Sequence, residues 1–433
     1  MLLSVVATET STLTFLSIPG VAYAGTLGFL QIAIGYVVGR VAVAVWLLPA
    51  YHEGRLHTAY ELLERRFGIG MRRLTSAIFM VTRLLADSVR LFATAIPLAL
   101  VTGWSLAVSV VVIGAVTFLY TYAGGIRAVV WVDAAQMTLY LAGGLIALAA
   151  LGSVVPGGWD AIFAQAAAAG KLRVVDLSLD FGRPYTLWAG LLGGAFLTMG
   201  SHGTDQLIVQ RLLACRDLRS SRRALIGSGV VVLAQFALFL VVGLGLWAHF
   251  AGAAFERSDE IFARFILESL PSGVRGLLIA AVFAAAMSTL SSSINSLAST
   301  TAYDFWTAAR PEADDAEVLR IGRVATWAWA VLLVLAAIAF IPMSRDSAAV
   351  EVSLGIASLV YGGLLGAFGL ARFRPDIGPR AARLALAAGI LGVTAVWLFA
   401  RAHVAWPWYV LIGTALTTAT GLLVRERAAP DPP

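Results

Sequence analysis

Twelve apolar segments, at 2–24, 27–50, 73–102, 105–122, 128–152, 186–210, 224–250, 276–302, 324–343, 350–371, 383–400 and 404–424, take up most of this chain. At 1.5 Å per helical residue most of them are long enough to cross the hydrocarbon core of a bilayer. A chain that is 59% hydrophobic and 13% charged cannot hide that much apolar surface in one soluble core. The sequence therefore describes an all-α polytopic membrane protein, a single transmembrane unit over 1–433 embedded in a lipid bilayer. Its formal charge of +6 does not point to nucleic acid, because the basic residues are scattered through short loops between apolar segments. One cysteine, Cys215, excludes an intrachain disulfide.

The basic loops set an orientation. Lys and Arg number five in 51–73, one at Arg127, five in 211–223, three in 310–323, four in 372–383 and two at the C-terminus, twenty altogether. The alternate loops carry eight, and Arg40, Arg83 and Arg90 lie inside helices. The positive-inside rule puts the twenty-residue side and the C-terminus in the cytoplasm, with the long loops 153–185 and 253–275 outside. Within the first basic loop, Thr58 to Phe67 reads as a short interfacial amphipathic helix.

Two segments cannot be continuous lipid-facing helices. Thr8-Glu9-Thr10-Ser11-Thr12-Leu13-Thr14 places six polar residues among seven, ahead of Pro19-Gly20, and Gly200-Ser201-His202-Gly203-Thr204-Asp205-Gln206 does the same in the sixth segment. Backbone that leaves the helix at membrane depth is tolerated only where it is buried in protein or lines a cavity. The interruptions fall five helices apart, one in each of two blocks, 2–152 and 186–371. Five is odd, so the second block starts from the opposite face. Paired broken helices in inverted repeats are the pattern of a secondary transporter with its solute site between the breaks. Residues 383–424 add two further helices.

A third feature is the run Ala284–Thr300, in which nine of the thirteen residues from Ser288 onward are Ser, Thr or Asn. On a helix, Ser288, Ser291, Ser292, Asn295 and Ser299 share one stripe, and Leu290, Ile294 and Leu297 another. Small polar residues let membrane helices approach closely, which is one reading. Oxygens at this density also suit a desolvated monovalent cation, which is the other. Charges within the spans need partners as well. Glu9 either caps the first break or binds solute or ion; Arg83, Asp87 and Arg90 can pair along one helix face. Asp205 and Gln206 follow the second break, where they meet solute or cap the outgoing half-helix.

Several stretches in fixed order then carry a resemblance: A-T-E-T-S in the first helix, T-A-Y-E-L-L-E-R-R-F-G, T-R-L-L-A-D-S-V-R-L, Y-A-G-G-I-R-A-V-V-W-V-D-A-A-Q, G-T-D-Q-L-I-V-Q-R, and G-L-L-I-A-A-V-F-A-A-A-M-S-T-L-S-S-S-I-N-S in the eighth. Over nearly its whole length the chain resembles the sodium:solute symporter family. The resemblance implies a LeuT-like fold of five plus five inverted helices with broken first and sixth core members. It implies Na+ as coupling ion, carried with a small organic solute by alternating access, and no organic cofactor. Carried over by motif, the principal sodium site uses backbone carbonyls of Ala7, Thr10 and Ala285 and hydroxyls of Ser288 and Thr289; a second site falls on Asp133, Ser291 and Ser292 together with Ser288. Glu9, Thr14, Asp205 and Gln206 are the solute-side residues, and they do not choose among sugars, amino acids, monocarboxylates and vitamins.

The resemblance also implies one more helix ahead of the first broken one, so the reading frame is expected to extend upstream of Met1. A bacterial-type inner (plasma) membrane transporter is the reading that results. The alternative is a membrane sensor module of the same family without net transport. An enzyme is not expected, since the chain has no paired catalytic carboxylates, no HExxH and no nucleophile beside a base.

Overall fold

The computed structural model describes residues 2–53, 59–123, 126–343 and 348–424, and within these the side chains of 3, 4, 120, 123, 126–136, 288, 308 and 343 are not described. Every apolar segment is helical, and among the described residues eight helices are long and apolar enough to cross a membrane. The first segment is two half-helices, α1 (Leu2–Glu9) and α2 (Thr12–Ala24), followed by α3 (Phe29–Trp46) and its short extension α4 (Leu48–Glu53). After α5 (Glu61–Phe67) come α6 (Ile69–Thr102), α7 (Leu106–Ala123), α8 (Ile126–Val154) and the short α9 (Gly158–Ala168). A π-helical turn, Ala189–Gly193, leads into α10 (Gly194–Gly203), which with α11 (Gln206–Leu213) forms the second broken segment. The chain continues through α12 (Leu218–His249), α13 (Ser258–Ser269), α14 (Ser272–Thr300), α15 (Thr307–Ala309), α16 (Asp315–Phe340), α17 (Ala349–Phe373), α18 (Pro379–Ala400) and α19 (Trp408–Leu423).

Both breaks fall where the polar runs place them. In the first, the last backbone bond of α1 runs from the Thr10 N–H to the Val6 carbonyl at 2.8 Å, and α2 restarts with the Thr14 N–H donating to the Ser11 carbonyl at 3.0 Å. The carbonyls of Ala7, Thr8 and Glu9 come after that last bond, at the negative end of the half-helix. In the second, α10 ends as the Thr204 N–H donates to the Gly200 carbonyl at 3.0 Å. Asp205 then turns extended and caps α11, its Oδ1 accepting from the Leu207 N–H at 2.9 Å.

Close packing holds the breaks in place. Gly35 and Gly39, four apart on α3, face the backbone of Gly190 and Ala195, and a Cβ at either would run into a carbonyl oxygen. Behind the first break, Phe15, Tyr140, Phe239 and Phe262 form a buried aromatic cluster with ring centroids 5.0–5.4 Å apart. The interfacial helix expected from Thr58 begins only at Glu61; its Leu63 and Phe67 are buried while Glu61 and Arg65 pair outside at 2.5 Å. Thr58 itself lies outside the described residues.

The hydroxyl-rich helix needs one correction. In α14, Leu290, Ile294 and Leu297 are buried as expected, and so are Thr289, Ser291 and Ser293, but Asn295 and Ser299 are exposed. Asn295 and Ser299, four residues apart, turn outward at one edge of the stripe, while Leu297, Ala298 and Thr300 beside them stay buried.

Candidate functional site

A cavity of about 130 Å3 lies where the two breaks meet α3, α6, α12 and α17. Glu9, Ser11, Leu13 and Thr14 line it from the first break, Thr198, Ser201, His202 and Asp205 from the second, and Phe79, Arg83, Tyr361 and Phe236 from the surrounding helices. Its polar groups fall into two clusters.

The first cluster is centred on Glu9. Its carboxylate takes both oxygens to the Arg40 guanidinium of α3, whose side chain is fully buried, and Oε2 also lies 3.3 Å from His202 Nε2 of α10. His202 Nδ1 in turn lies 2.8 Å from the Ser201 hydroxyl. With Ser201 donating to Nδ1, the neutral tautomer that donates from Nε2 to Glu9 satisfies both ring nitrogens. One residue on, the Thr10 hydroxyl donates to Gln235 Oε1 of α12 at 3.1 Å, and Gln235 Nε2 donates to the Tyr140 hydroxyl of α8 at 2.9 Å. The two broken helices thus touch through a side-chain network rather than through packing alone.

The second cluster is centred on Asp205. While Oδ1 caps α11, Oδ2 accepts from Arg83 Nη2 at 2.8 Å and from the Tyr361 hydroxyl of α17 at 2.7 Å. Asp87, fully buried, pairs with Arg90 and lies 3.7 Å from Arg83, so the Arg83-Asp87-Arg90 ladder expected along one helix face exists but its strongest outside partner is Asp205. Nearby, the Tyr51 hydroxyl donates to the Gly203 carbonyl. These contacts lie where α11 leaves the cavity toward the arginine-rich 211–223 stretch.

Of the solute-side expectations, Glu9, Thr14 and Asp205 lie on the cavity wall. Gln206 does not: its Oε1 accepts from the Ala59 N–H at 2.6 Å and pins the loop before α5. For the principal cation site, α1 packs against α14, and Ala7, Thr10, Ala285 and Thr289 are all buried. The Thr289 hydroxyl lies 3.2 Å from the Ala285 carbonyl, and the Thr12 hydroxyl reaches the Val282 carbonyl at 3.4 Å. The side chains of Ser288 and Asp133 lie outside the described residues; of the other second-site members, Ser291 is buried and Ser292 partly so. Arg40 and Tyr361 were not anticipated as partners. For Arg40 the signal was present, because a lone arginine inside an apolar helix requires an acid.

At the opposite end, α2 meets α13 so closely that a Cβ on Gly20 would strike the Ser258 carbonyl. Next to it, Asp259 is buried and accepts from the Ala349 N–H at the start of α17 at 3.1 Å. Burial pushes its carboxyl up to about 6; the nearby Ser17 hydroxyl, the bond from the Ala349 N–H and the charge of Arg257 oppose the rise, and Glu351 adds to it. A folded pKa above the ordinary value of 3.8 means that the packed state binds the proton more tightly. The contact is therefore strongest below the ordinary value and weakens as pH rises through about 6. Amide exchange in α13, corrected for intrinsic rates, is expected to accelerate between the ordinary value of 3.8 and about 6 and to level off above that, and Asp259→Asn to remove that dependence. Identical pH profiles for the two proteins would contradict this account.

The sodium:solute symporter family model matches residues 1–369. The sodium-coupled monocarboxylate transporter 2 of Bos taurus is 30% identical over 399 residues, covering 90% of this chain, and this chain spans 64% of that protein's length. The sodium/sialic acid symporter NanT of Aliivibrio fischeri is 28% identical over 427 residues, covering 97% of this chain and 84% of its own. Among solved structures, the substrate-bound outward-open state of a Na+-coupled sialic acid symporter superimposes with a TM-score of 0.84 at 26% identity, over 97% of this chain and 88% of that one. The inward-facing conformation of Mhp1 gives 0.60 at 14% identity over 98% of this chain and 90% of its own, a likeness of fold alone. These neighbours share the LeuT-like arrangement expected above, and the chain belongs to the sodium:solute symporter family.

Proposed function

We propose that the chain is a secondary active transporter, not an enzyme, that couples inward Na+ movement to uptake of a small organic solute. The observation that carries this reading is the meeting of two broken helices around one buried cavity. Beside it, α1, which ends in open carbonyls, packs against α14, the helix that carries Ala285 and Thr289. Carbonyl and hydroxyl oxygens are the hard donors that Na+ prefers, and the negative end of α1 adds to them. In this reading Ala7, Thr10, Ala285, Ser288 and Thr289 hold one sodium ion, Asp133, Ser291 and Ser292 contribute to a second, and Glu9, Thr14 and Asp205 face the solute. Gln206 holds the loop that closes below them.

The repeats are 2–152 and 186–371, with 383–424 outside them. The arginine-rich loops and the C-terminus face the cytoplasm of an inner or plasma membrane, by the positive-inside rule. Alternating access then exchanges two seals. One is the Asp205-Arg83-Tyr361 cluster on the cytoplasmic side; the other is the α2-α13-α17 contact around Asp259 on the outer side. Each positive charge entering a negative interior gains about 2.3 kcal/mol per 100 mV.

The relatives named above are a monocarboxylate transporter and a sialic acid symporter. Uptake of labelled sialic acid, lactate, biotin, glucose and a neutral amino acid into proteoliposomes, with and without an inward sodium gradient, tests the proposal. Sodium-driven accumulation of at least one is expected; equal uptake in both conditions, or none from the wider classes of sugar, amino acid, monocarboxylate and vitamin, overturns it. Asp205→Ala removes a helix cap worth about 1 kcal/mol, the partner of Arg83 and Tyr361, and a cavity wall, leaving Arg83 with Asp87 at 3.7 Å. It is expected to raise the half-saturating solute concentration about fivefold while leaving sodium half-saturation nearly unchanged. Equal loss of both would move Asp205 off the solute side.

A further inference from the structure

At the arginine-rich end, Arg219, Arg222 and Arg223 in the first turns of α12 surround a concavity of about 470 Å3 floored by Ile226 and Gly227. None of the three has an acidic side chain within ion-pair distance among the described residues, and the nearby Asp217 is spent on capping α12, accepting from the Ser220 N–H at 2.7 Å. Arg222 is half-buried and held in place, its Nε donating to the Ala44 carbonyl of α3 at 2.8 Å. Arg219 and Arg223 are exposed.

What lies beyond the arginines is apolar. Arg219, Arg223, Ile226 and Val230 follow one face of α12 at helical spacing, and Val230 is 57% exposed. On one side a Cβ at Gly227 would come within 2.6 Å of Leu2 Cδ1, so the start of α1 packs against α12 at this point. On the other, the end of α3 brings exposed Val45 and Trp46 beside Ala44. Loop charge alone orients a membrane protein and needs no cavity. Here three guanidinium forks converge on a hollow at the positive end of a helix, and an exposed apolar face continues into the membrane-spanning part of that helix. Guanidinium groups match phosphate bidentately, and the helix terminus adds to the attraction.

We infer that this hollow is a binding site for an anionic phospholipid, with the phosphate on Arg219, Arg222 and Arg223 and an acyl chain along Ile226 and Val230.

Native mass spectrometry of the purified full chain, supplied with phosphatidylglycerol or phosphatidylcholine, tests the assignment. Wild-type protein is expected to retain one phosphatidylglycerol preferentially. At roughly 1 kcal/mol per basic contact, Arg219→Gln with Arg223→Gln lowers that occupancy roughly 30-fold. Both residues are exposed, and the melting temperature of the same sample reports whether the fold is intact. If that pair melts early, Arg219→Lys with Arg223→Lys, which keeps charge and loses the fork, is read instead and is expected to fall between the two. Arg320→Gln with Arg323→Gln, an equal charge loss elsewhere at the same end, leaves occupancy unchanged. Equal loss in the control pair, retention in the test variants, or full displacement by glycerol 3-phosphate at matched concentration would overturn the lipid site, the last in favour of a soluble phosphate ligand.

Discussion

Glu9→Gln is expected to destabilise the protein by about 3–5 kcal/mol, because it strands a charge rather than removing one. The Arg40 side chain is wholly buried in α3, and its Nε and Nη1 find no partner among the described residues, so Glu9 is the group that compensates its charge. An isosteric amide keeps the shape and one acceptor but deletes the carboxylate. His202, 3.3 Å away, is a donor toward Glu9 in its neutral form and cannot supply a negative charge. Replacing both partners, Glu9→Gln with Arg40→Met, removes the stranded charge and is expected to recover most of the loss, since a buried ion pair is worth little against apolar groups of similar volume. Thermal unfolding in detergent of the two single variants and the double variant closes the cycle. A Glu9→Gln protein that melts like wild type would mean that Arg40 has another compensating group and that the first cluster is not held by this pair. Transport by a stable double variant then asks a separate question, whether Glu9 also meets the solute.

Glu9 and Arg40 also mark what was and was not legible in the chain. The positions of both breaks were visible because polar and glycine residues concentrated inside apolar segments have few physical explanations. The breaks at Thr10-Ser11 and Thr204-Asp205 fall within those runs. The helical character of the apolar segments was equally legible, and among the described residues eight helices are long and apolar enough to cross a membrane. The partners were not. Glu9 reaches across 31 positions to Arg40, and Asp205 across 156 to Tyr361. Such pairs depend on how helices cross, and spacing along one helix does not encode that. Arg83 illustrates the limit: helical spacing finds Asp87 at 3.7 Å, and packing supplies the closer Asp205 at 2.8 Å. Periodicity likewise placed the hydroxyl stripe of α14 on one face but not how much of that face the neighbouring helices cover, so Asn295 and Ser299 were grouped with residues that are buried.

For the cation site, Ser288→Ala and Thr289→Ala are each expected to weaken sodium affinity by roughly tenfold to more than a hundredfold. Each deletes one oxygen that water replaces only imperfectly in a closed site, and a lost hydrogen-bonding partner of a charged group costs about 1.5–3 kcal/mol, at about 1.4 kcal/mol per decade. Thr289 carries a further consequence. Its hydroxyl also donates to the Ala285 carbonyl at 3.2 Å, so the alanine variant frees a second proposed ligand from its tether, whereas Thr289→Ser keeps the hydroxyl and is expected to stay close to wild type. Close helix packing makes the opposite forecast. If these residues are small only so that α14 can approach its neighbours, alanine is smaller still, melting temperature shifts slightly, and the ion requirement stays where it was. Sodium half-saturation measured at saturating solute separates the two, because a packing defect lowers the amount of active protein without moving the concentration at which sodium works. Unchanged half-saturation in both alanine variants would place the cation somewhere other than between α1 and α14. The open carbonyls at the end of α1 would then have to be explained by the solute instead.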